Sequence, residues 1–250
     1  TKLISFIGND PESKIVKKKL LTFGNDSSYV LEINNEKTGS YTVIQDKFGE
    51  TIIAVNDMSI LEKVKPNFIE KIINNIHAST WVIDSNFDQK TFEKIISTIK
   101  DKKVIGTAVS SIKAQRLRPV LKYLDCIFLN KNELFSLIPE EKNIRKAIDR
   151  ILTIGTKTIF VTLGINGAIA ANSNEYIKES VIPSNIIDLN GVGDAFCGSV
   201  INCIQKGLPL KEMLDYGLSS SSLVAEVKGS TRIDLNDKLI KNRLKEKFTV

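Results

Sequence analysis

Histidine is nearly absent from this chain: 250 residues contain one, His77. A Ser-His-Asp triad or a zinc site would have to be built around it. No metal-ligand spacing surrounds it, so a helix-end or surface histidine is expected. Cysteine is scarce as well. Cys126, Cys197 and Cys203 form no CxxC pair, and an odd count argues against a disulfide framework and suits a reducing compartment. No apolar run reaches the roughly 18 residues of a membrane span, and no leader-like stretch opens the sequence, so a soluble, cytoplasmic protein is expected. Internal repeats and low-complexity linkers are missing too. Charge of one sign is not in great excess: Lys+Arg 35 against Asp+Glu 29 gives +6. The basic stretch Lys238 to Lys247 has no interleaved aromatics, and it reads as a solvated helix face rather than a nucleic-acid patch.

What is present is an ordinary globular composition, 42% hydrophobic and 26% charged, in a chain long enough to bury a substantial core. Residues 28 to 56 hold three strand-like runs, Ser28 to Ile33, Ser40 to Gln45 and Thr51 to Asn56. Turn-like segments separate them, Asn34 to Gly39 and Asp46 to Gly49, and the pattern predicts a small antiparallel sheet. From Asn67 onward strands and helices alternate. Strands are expected at Trp81–Asp84, Lys103–Ala108, Cys126–Leu129, Thr158–Leu163, Gly167–Ala171 and Tyr176–Ile182. Helices are expected at Thr91–Lys100, Lys113–Leu124, Lys142–Ile154, Ala195–Gln205 and Leu210–Val227. Such alternation predicts a mostly parallel α/β sheet covered on both faces, with ligands at the carboxyl ends of its strands. Asp84, Asn130, Gly164 and the loop before Ala195 stand at those ends.

Three short segments could carry chemistry. In Asp188-Leu189-Asn190-Gly191-Val192-Gly193-Asp194, two glycines precede a long apolar helix. Helix starts have free N–H groups and a positive dipole end, so an anion hole follows. Asp194 in the first turn is either a base beside that hole or a plain helix cap, and the motif alone divides evenly between them. Asn130-Lys131-Asn132-Glu133 ends a strand and opens a helix. Asn130 and Glu133 there suit a hydrated Mg²⁺ beside phosphates, and equally suit a capping box. Thr162-Leu163-Gly164-Ile165-Asn166-Gly167 is either a simple turn or a wall for a nucleotide. No Walker A loop occurs. A dinucleotide fingerprint would need glycine where Phe196 stands, which counts against an NAD-dependent enzyme.

In this order the three segments resemble the ribokinase-type, or PfkB, carbohydrate kinase family, and the resemblance runs over essentially the whole chain. Gly191-Val192-Gly193-Asp194 is similar to its GAGD signature, with Val for Ala. Asn130 to Glu133 resembles its NxxE motif, and Thr162-Leu163-Gly164 with Gly167 its TLGxxG turn. Ser219 to Ser230, ending Lys228-Gly229-Ser230, resembles its last nucleotide-side helix and loop. The lid-like segments Thr38-Gly39-Ser40-Tyr41, Gly49-Glu50 and Ala54 to Met58, with Val109 to Lys113, are most similar to the pseudouridine kinases of the family. The resemblance implies a single ribokinase-like domain over 1–250, a three-layer α/β fold with a mostly parallel sheet, and a β-sheet lid over 28–57 through which a homodimer could form. It implies transfer of the ATP γ-phosphoryl group to a hydroxyl of a sugar or nucleoside, most similar to pseudouridine, with Mg²⁺ and no nucleic-acid polymer or membrane as partner.

The resemblance also implies roles. Asp194 would be the base, and the Gly191, Val192 and Gly193 N–H groups would hold the migrating phosphoryl. Asn130, Thr162, Gly164, Gly167 and Gly229 would line the nucleotide, Asn56 and Asp57 the acceptor, and Glu133 and Asp188 the metals. Asp188 matches a position for a monovalent cation, K⁺ by family habit, although Leu189 stands where the pattern has threonine. Two further departures are expected to matter. Leu3 to Asp10 resembles a VGxD segment that normally follows a first βα unit bearing a sugar-binding aspartate and a GGxxxN motif, neither of which is present. Thr107-Ala108 replaces a common Asp-Pro. An active kinase and a nucleotide-binding homologue without turnover both fit this pattern.

Overall fold

A computed structural model describes residues 1–45 and 51–247. The chain divides into two units, residues 1–102 and 103–250. The turn at Asp46 to Gly49 and the pair Gly49-Glu50 lie outside the described residues.

The first unit opens with strand β1 (Lys2–Gly8), helix α1 (Pro11–Thr22) and strand β2 (Asp26–Ile33). Asp10 caps α1, accepting the Ser13 N–H at 2.9 Å, and its carboxylate also holds the Thr38 N–H and hydroxyl, each at 2.6 Å. Strands β3 (Ser40–Gln45) and β4 (Thr51–Asp57) follow, then the short α2 (Ser59–Glu62), α3 (Pro66–Asn74), β5 (Thr80–Asp84) and α4 (Gln89–Ile99). Here one expectation fails. β2 does not join β3 and β4 in an antiparallel sheet; it pairs in parallel with β1, Ser5 beside Val30, and β3 pairs with β4 alone. The reason is α1. It provides the crossover that a parallel pair needs, and it buries β2 against β1 rather than against the hairpin. Phe6 of β1 packs on Phe68 and Phe87 with ring centroids 6.0 and 6.2 Å apart.

The second unit begins with β6 (Lys103–Thr107), α5 (Ser111–Ala114), a 3-10 segment (Gln115–Tyr123) and β7 (Cys126–Asn130). Helices α6 (Lys131–Leu137) and α7 (Ile144–Ile154) lead to β8 (Thr158–Thr162), β9 (Ala168–Asn172) and β10 (Tyr176–Glu179). The long helices α8 (Val192–Lys206) and α9 (Leu210–Ala225) and the basic α10 (Asp237–Lys247) close it. The α-helix expected over 113–124 is mostly 3-10, and Pro119, which has no N–H to donate, lies inside it.

β6, β7 and β8 run parallel, and β9 and β10 continue the sheet antiparallel. The central strands are continuous apolar runs, with Ile127 to Leu129 and Ile159 to Val161 all buried, as a sheet covered on both faces requires. Phe128 and Phe160 stack at 5.2 Å, and Phe196 of α8 meets both edge-on at 6.3 and 6.1 Å. That trio seats the first turns of α8 on the strands whose ends carry the candidate site.

Candidate functional site

The site of the second unit grows from two adjacent strand ends and one helix start. Asn130, last in β7, lies directly beside Thr162, last in β8. The register therefore brings the Asn130–Glu133 and Thr162–Gly167 segments together, although 32 positions of sequence separate their first residues.

The capping box expected at Asn130 is formed in full. Its Oδ1 accepts the Asn132 and Glu133 N–H groups at 2.9 Å, and Glu133 Oε2 accepts the Asn130 N–H at 2.8 Å. Glu133 is buried, which pushes its carboxyl up, and the Asn130 N–H offsets part of that rise. Capping consumes one carboxylate oxygen and leaves Oε1 outside the box.

After Thr162 the chain turns sharply through Gly164–Asn166, and Leu163 N–H returns to Gly167 O at 2.8 Å. Gly167 sits at φ 84, and a Cβ there would lie 1.8 Å from Glu179 O. Only glycine lets β10 pass so close, so the fold alone accounts for this residue.

Gly191 is the N-cap of α8 at φ 76, with no side-chain cap bond. A Cβ on it would lie 1.9 Å from Ser230 O, so the loop after α9 presses on the helix start. Val192 N–H makes one long bond to Leu189 O at 3.5 Å, and Ala195 N–H reaches Gly191 O at 2.9 Å. No acceptor for the Gly193 and Asp194 N–H groups is found among the described residues. A Cβ on Gly193 would meet nothing within 4 Å. The helix start is thus an open cradle with unspent donors and a positive dipole end, which fits a phosphate.

Asp194 does not cap its helix. Its side chain is exposed and has no hydrogen bond or ion pair among the described residues. The surrounding protein nevertheless strips enough water from the carboxylate to push its pKa up. The Cys197 thiol, one turn on, is pushed up to about 12 by burial and by the Asp194 charge. It stays protonated and is no nucleophile.

Asp188 accepts the Asn190 N–H at 2.9 Å and the Gly229 N–H at 3.0 Å, joining the loops before α8 and after α9. A grip on α8 that sequence reading missed comes from α9. The Ser220 hydroxyl is shared between Ala195 O and, within α9, Gly217 O, both at 2.9 Å, and Ser221 Oγ donates to Val192 O at 3.1 Å. Gly217 lets the Phe196 ring pass, since a Cβ there would lie 2.6 Å from it. The run of four serines from Ser219 to Ser222 inside an apolar helix was the available signal.

Asn56 and Asp57 belong to the first unit, exposed at the end of β4. Asn56 stands beside Tyr41, and Asp57 accepts the Ser59 N–H at 3.0 Å. The Ser59 hydroxyl, followed by that N–H, holds its carboxyl below the usual range. His77 is exposed after α3, as expected, and no group of three His, Cys, Asp or Glu among the described residues could hold a metal. Asn130 and Glu133 therefore fit a magnesium ion only through its own waters. No helix among the described residues is long and apolar enough to cross a membrane.

Comparison with known proteins finds relatives along nearly the whole chain. The chain is 25% identical to an ATP-dependent 6-phosphofructokinase of Thermoanaerobacterium thermosaccharolyticum, over 94% of this chain and 76% of that one. It is 23% identical to the pseudouridine kinase of Escherichia coli, over 94% and 77%. The crystal structure of a putative ribokinase II from E. coli in complex with ATP and Mg²⁺ superposes with a TM-score of 0.83 at 21% identity, covering 98% of this chain and 83% of that one. The fold is therefore the ribokinase-like α/β fold expected from the motifs. The pattern that defines the pfkB family carbohydrate kinases matches residues 1–237. That span takes in the first unit and most of the second, and the chain belongs to this family of sugar and nucleoside kinases.

Proposed function

We propose that this kinase moves the γ-phosphoryl group of ATP to a hydroxyl of a nucleoside or sugar, with pseudouridine as the acceptor. One observation carries the chemistry: an unpartnered Asp194 carboxylate stands in the first turn of a helix whose N–H groups are unspent. Asp194 takes the proton of the attacking hydroxyl at a carboxylate oxygen. The N–H groups at Gly193 and Asp194, with Gly191 and Val192 around them, hold the phosphoryl oxygens and stabilise charge as it builds. When bound, Mg²⁺ and ATP supply the phosphoryl group and neutralise its charge. Asn130 and Glu133 orient the waters of that ion. Thr162, Gly164, Gly167 and Gly229 form the wall against which the nucleotide lies, while Asn56 and Asp57 bond the acceptor.

A potassium ion beside Asp188, a cytoplasmic location and the treatment of 1–250 as one ribokinase-like domain with a lid over 28–57 belong to the same proposal. So does a homodimer through the lid. The hairpin exposes Tyr41, Ile44, Ile52, Ile53 and Val55, an apolar surface that a second copy would cover. The pseudouridine assignment is supported by the lid segments and by the 23% identity with the E. coli enzyme.

The test is ADP release by the purified chain with Mg²⁺ and ATP, offered pseudouridine, ribose, adenosine or fructose 6-phosphate. Release that depends on pseudouridine is expected. Release with another acceptor overturns the substrate and keeps the reaction. ATP binding without release for any acceptor overturns turnover itself, and the chain is then a nucleotide-binding homologue.

A further inference from the structure

The second unit has a cavity of about 350 Å³ at the amino ends of β6, β7 and β8, lined by Ile105, Cys126, Ile204 and Met213 among others. The candidate site lies at the carboxyl ends of the same strands. Helix α8 spans the distance: its first turn bears Asp194, and Ile204 near its last turn faces the cavity. At 1.5 Å per residue, these two positions are roughly 15 Å apart along the axis. The volume falls within the range of small-molecule sites, about 300–1,000 Å³.

The rim carries charge in an unequal state of use. Asp125 is fully engaged, with Oδ1 on the Lys157 ammonium at 2.6 Å and Oδ2 on the Val104 N–H at 2.7 Å. Lys157 is therefore neutralised. Lys103, which also lines the cavity, has no ion-pair partner among the described residues. The remaining rim carboxylate, Glu175, lies beyond the end of β9. Ile105, Cys126, Thr158 and Asn172 stand side by side across β6 to β9, so Glu175 is three strand spacings, about 14 Å, from the β6 end. It does not serve Lys103. The cavity thus has Ile204, Leu208 and Met213 as its accessible apolar wall and, among the described residues, one unspent cation, Lys103, at the β6 end and one unspent carboxylate, Glu175, beyond the β9 end.

We propose that this cavity is a second binding site, separate from the phosphoryl-transfer site, for a small organic anion with a ring-sized apolar body. The body lies against the half-buried Ile204, Leu208 and Met213. The acidic group meets Lys103.

The chain itself supplies the reporter. Its two methionines are Met213, on the cavity wall, and Met58, in the first unit. Methyl-labelled methionine gives two resonances, assigned with Met213→Leu. Titration with naphthalene-1-sulfonate should shift Met213 saturably and leave Met58 in place. 1-Naphthylmethylamine, of like shape and opposite charge, should bind at least about tenfold more weakly, or about 1.4 kcal/mol. Lys103→Ser should weaken the sulfonate at least about fivefold while the Met58 resonance reports an intact fold. Saturating ATP should not displace the probe. A Met213 resonance that never shifts, equal affinity for the amine, an unaffected Lys103→Ser variant or displacement by ATP would each overturn the proposal.

Discussion

The Asp188 carboxylate accepts the backbone N–H of Gly229, 41 residues further along the chain, at 3.0 Å. With the Asn190 N–H on its other oxygen, it ties together the two loops that flank the start of α8. The Asn190 bond, followed by the Gly229 bond, holds its carboxyl below the usual range. A depressed carboxylate adds stability above its unfolded pKa and loses it as the pH falls through the folded value.

Asp188→Asn should therefore raise the KM for ATP about tenfold, or about 1.4 kcal/mol. The acid-side fall in melting temperature should be shallower than in the parent. Kinetics with thermal melts between about pH 3 and 7 check both. An unchanged KM would show that nucleotide binding does not depend on this tie.

Asp194→Asn should lower turnover by about 10²–10⁴-fold while changing ATP affinity little. The raised carboxyl also fixes two signs. Activity should fall on the acid side at a pH above the ordinary aspartate range, because the base must be ionised. A folded pKa above the unfolded one means that ionised Asp194 weakens the fold at neutral pH, so the neutral asparagine should not lower the melting temperature. A variant that is inactive and less stable would sink the desolvation account.

Gly191 and Gly193 should behave oppositely. Gly191→Ala must hold φ near 76 and displace Ser230, so it should lower the melting temperature and abolish activity together. Gly193→Ala meets no protein atom, so its melting temperature should hold while phosphoryl transfer drops. Melting curves and turnover on both proteins decide the matter, and loss of stability in Gly193→Ala would show that its open space is not a ligand cradle.

Glu133→Gln keeps an acceptor for the Asn130 N–H and removes the charge. The Mg²⁺ needed for half-maximal rate should rise about tenfold. Asn130→Ala should cost about 1 kcal/mol of stability through the lost cap. A Mg²⁺ titration that does not move in Glu133→Gln would confine this residue to capping.

Much of this was readable before any coordinates, for local reasons. β3 matches its expected span residue for residue, because alternation and turn residues mark it. Asn130 to Glu133 announces a cap, and the glycines before α8 announce an open helix start. What escaped was long-range. Nothing in Asp26–Ile33 says that it pairs with Lys2–Gly8 rather than with the hairpin, since pairing is decided by the α1 crossover. α8 begins at Val192 rather than Ala195 because Gly191 turns the chain with a positive φ. The even division over Asp194 could not be resolved from its neighbours, since the answer depends on which groups around it find partners in three dimensions.

The serine bonds from α9 have a further consequence. A peptide group at a helix start has an amide end and a carbonyl end, and the serines take hold of carbonyls: Ser221 that of Val192, and Ser220 that of Ala195, its hydroxyl shared with Gly217 O. The handle and the working surface are therefore opposite poles of the same turn. That turn is held in place without using any of its unspent N–H donors. Sequence drift in α9 can alter the alignment of the reaction without touching a reacting atom.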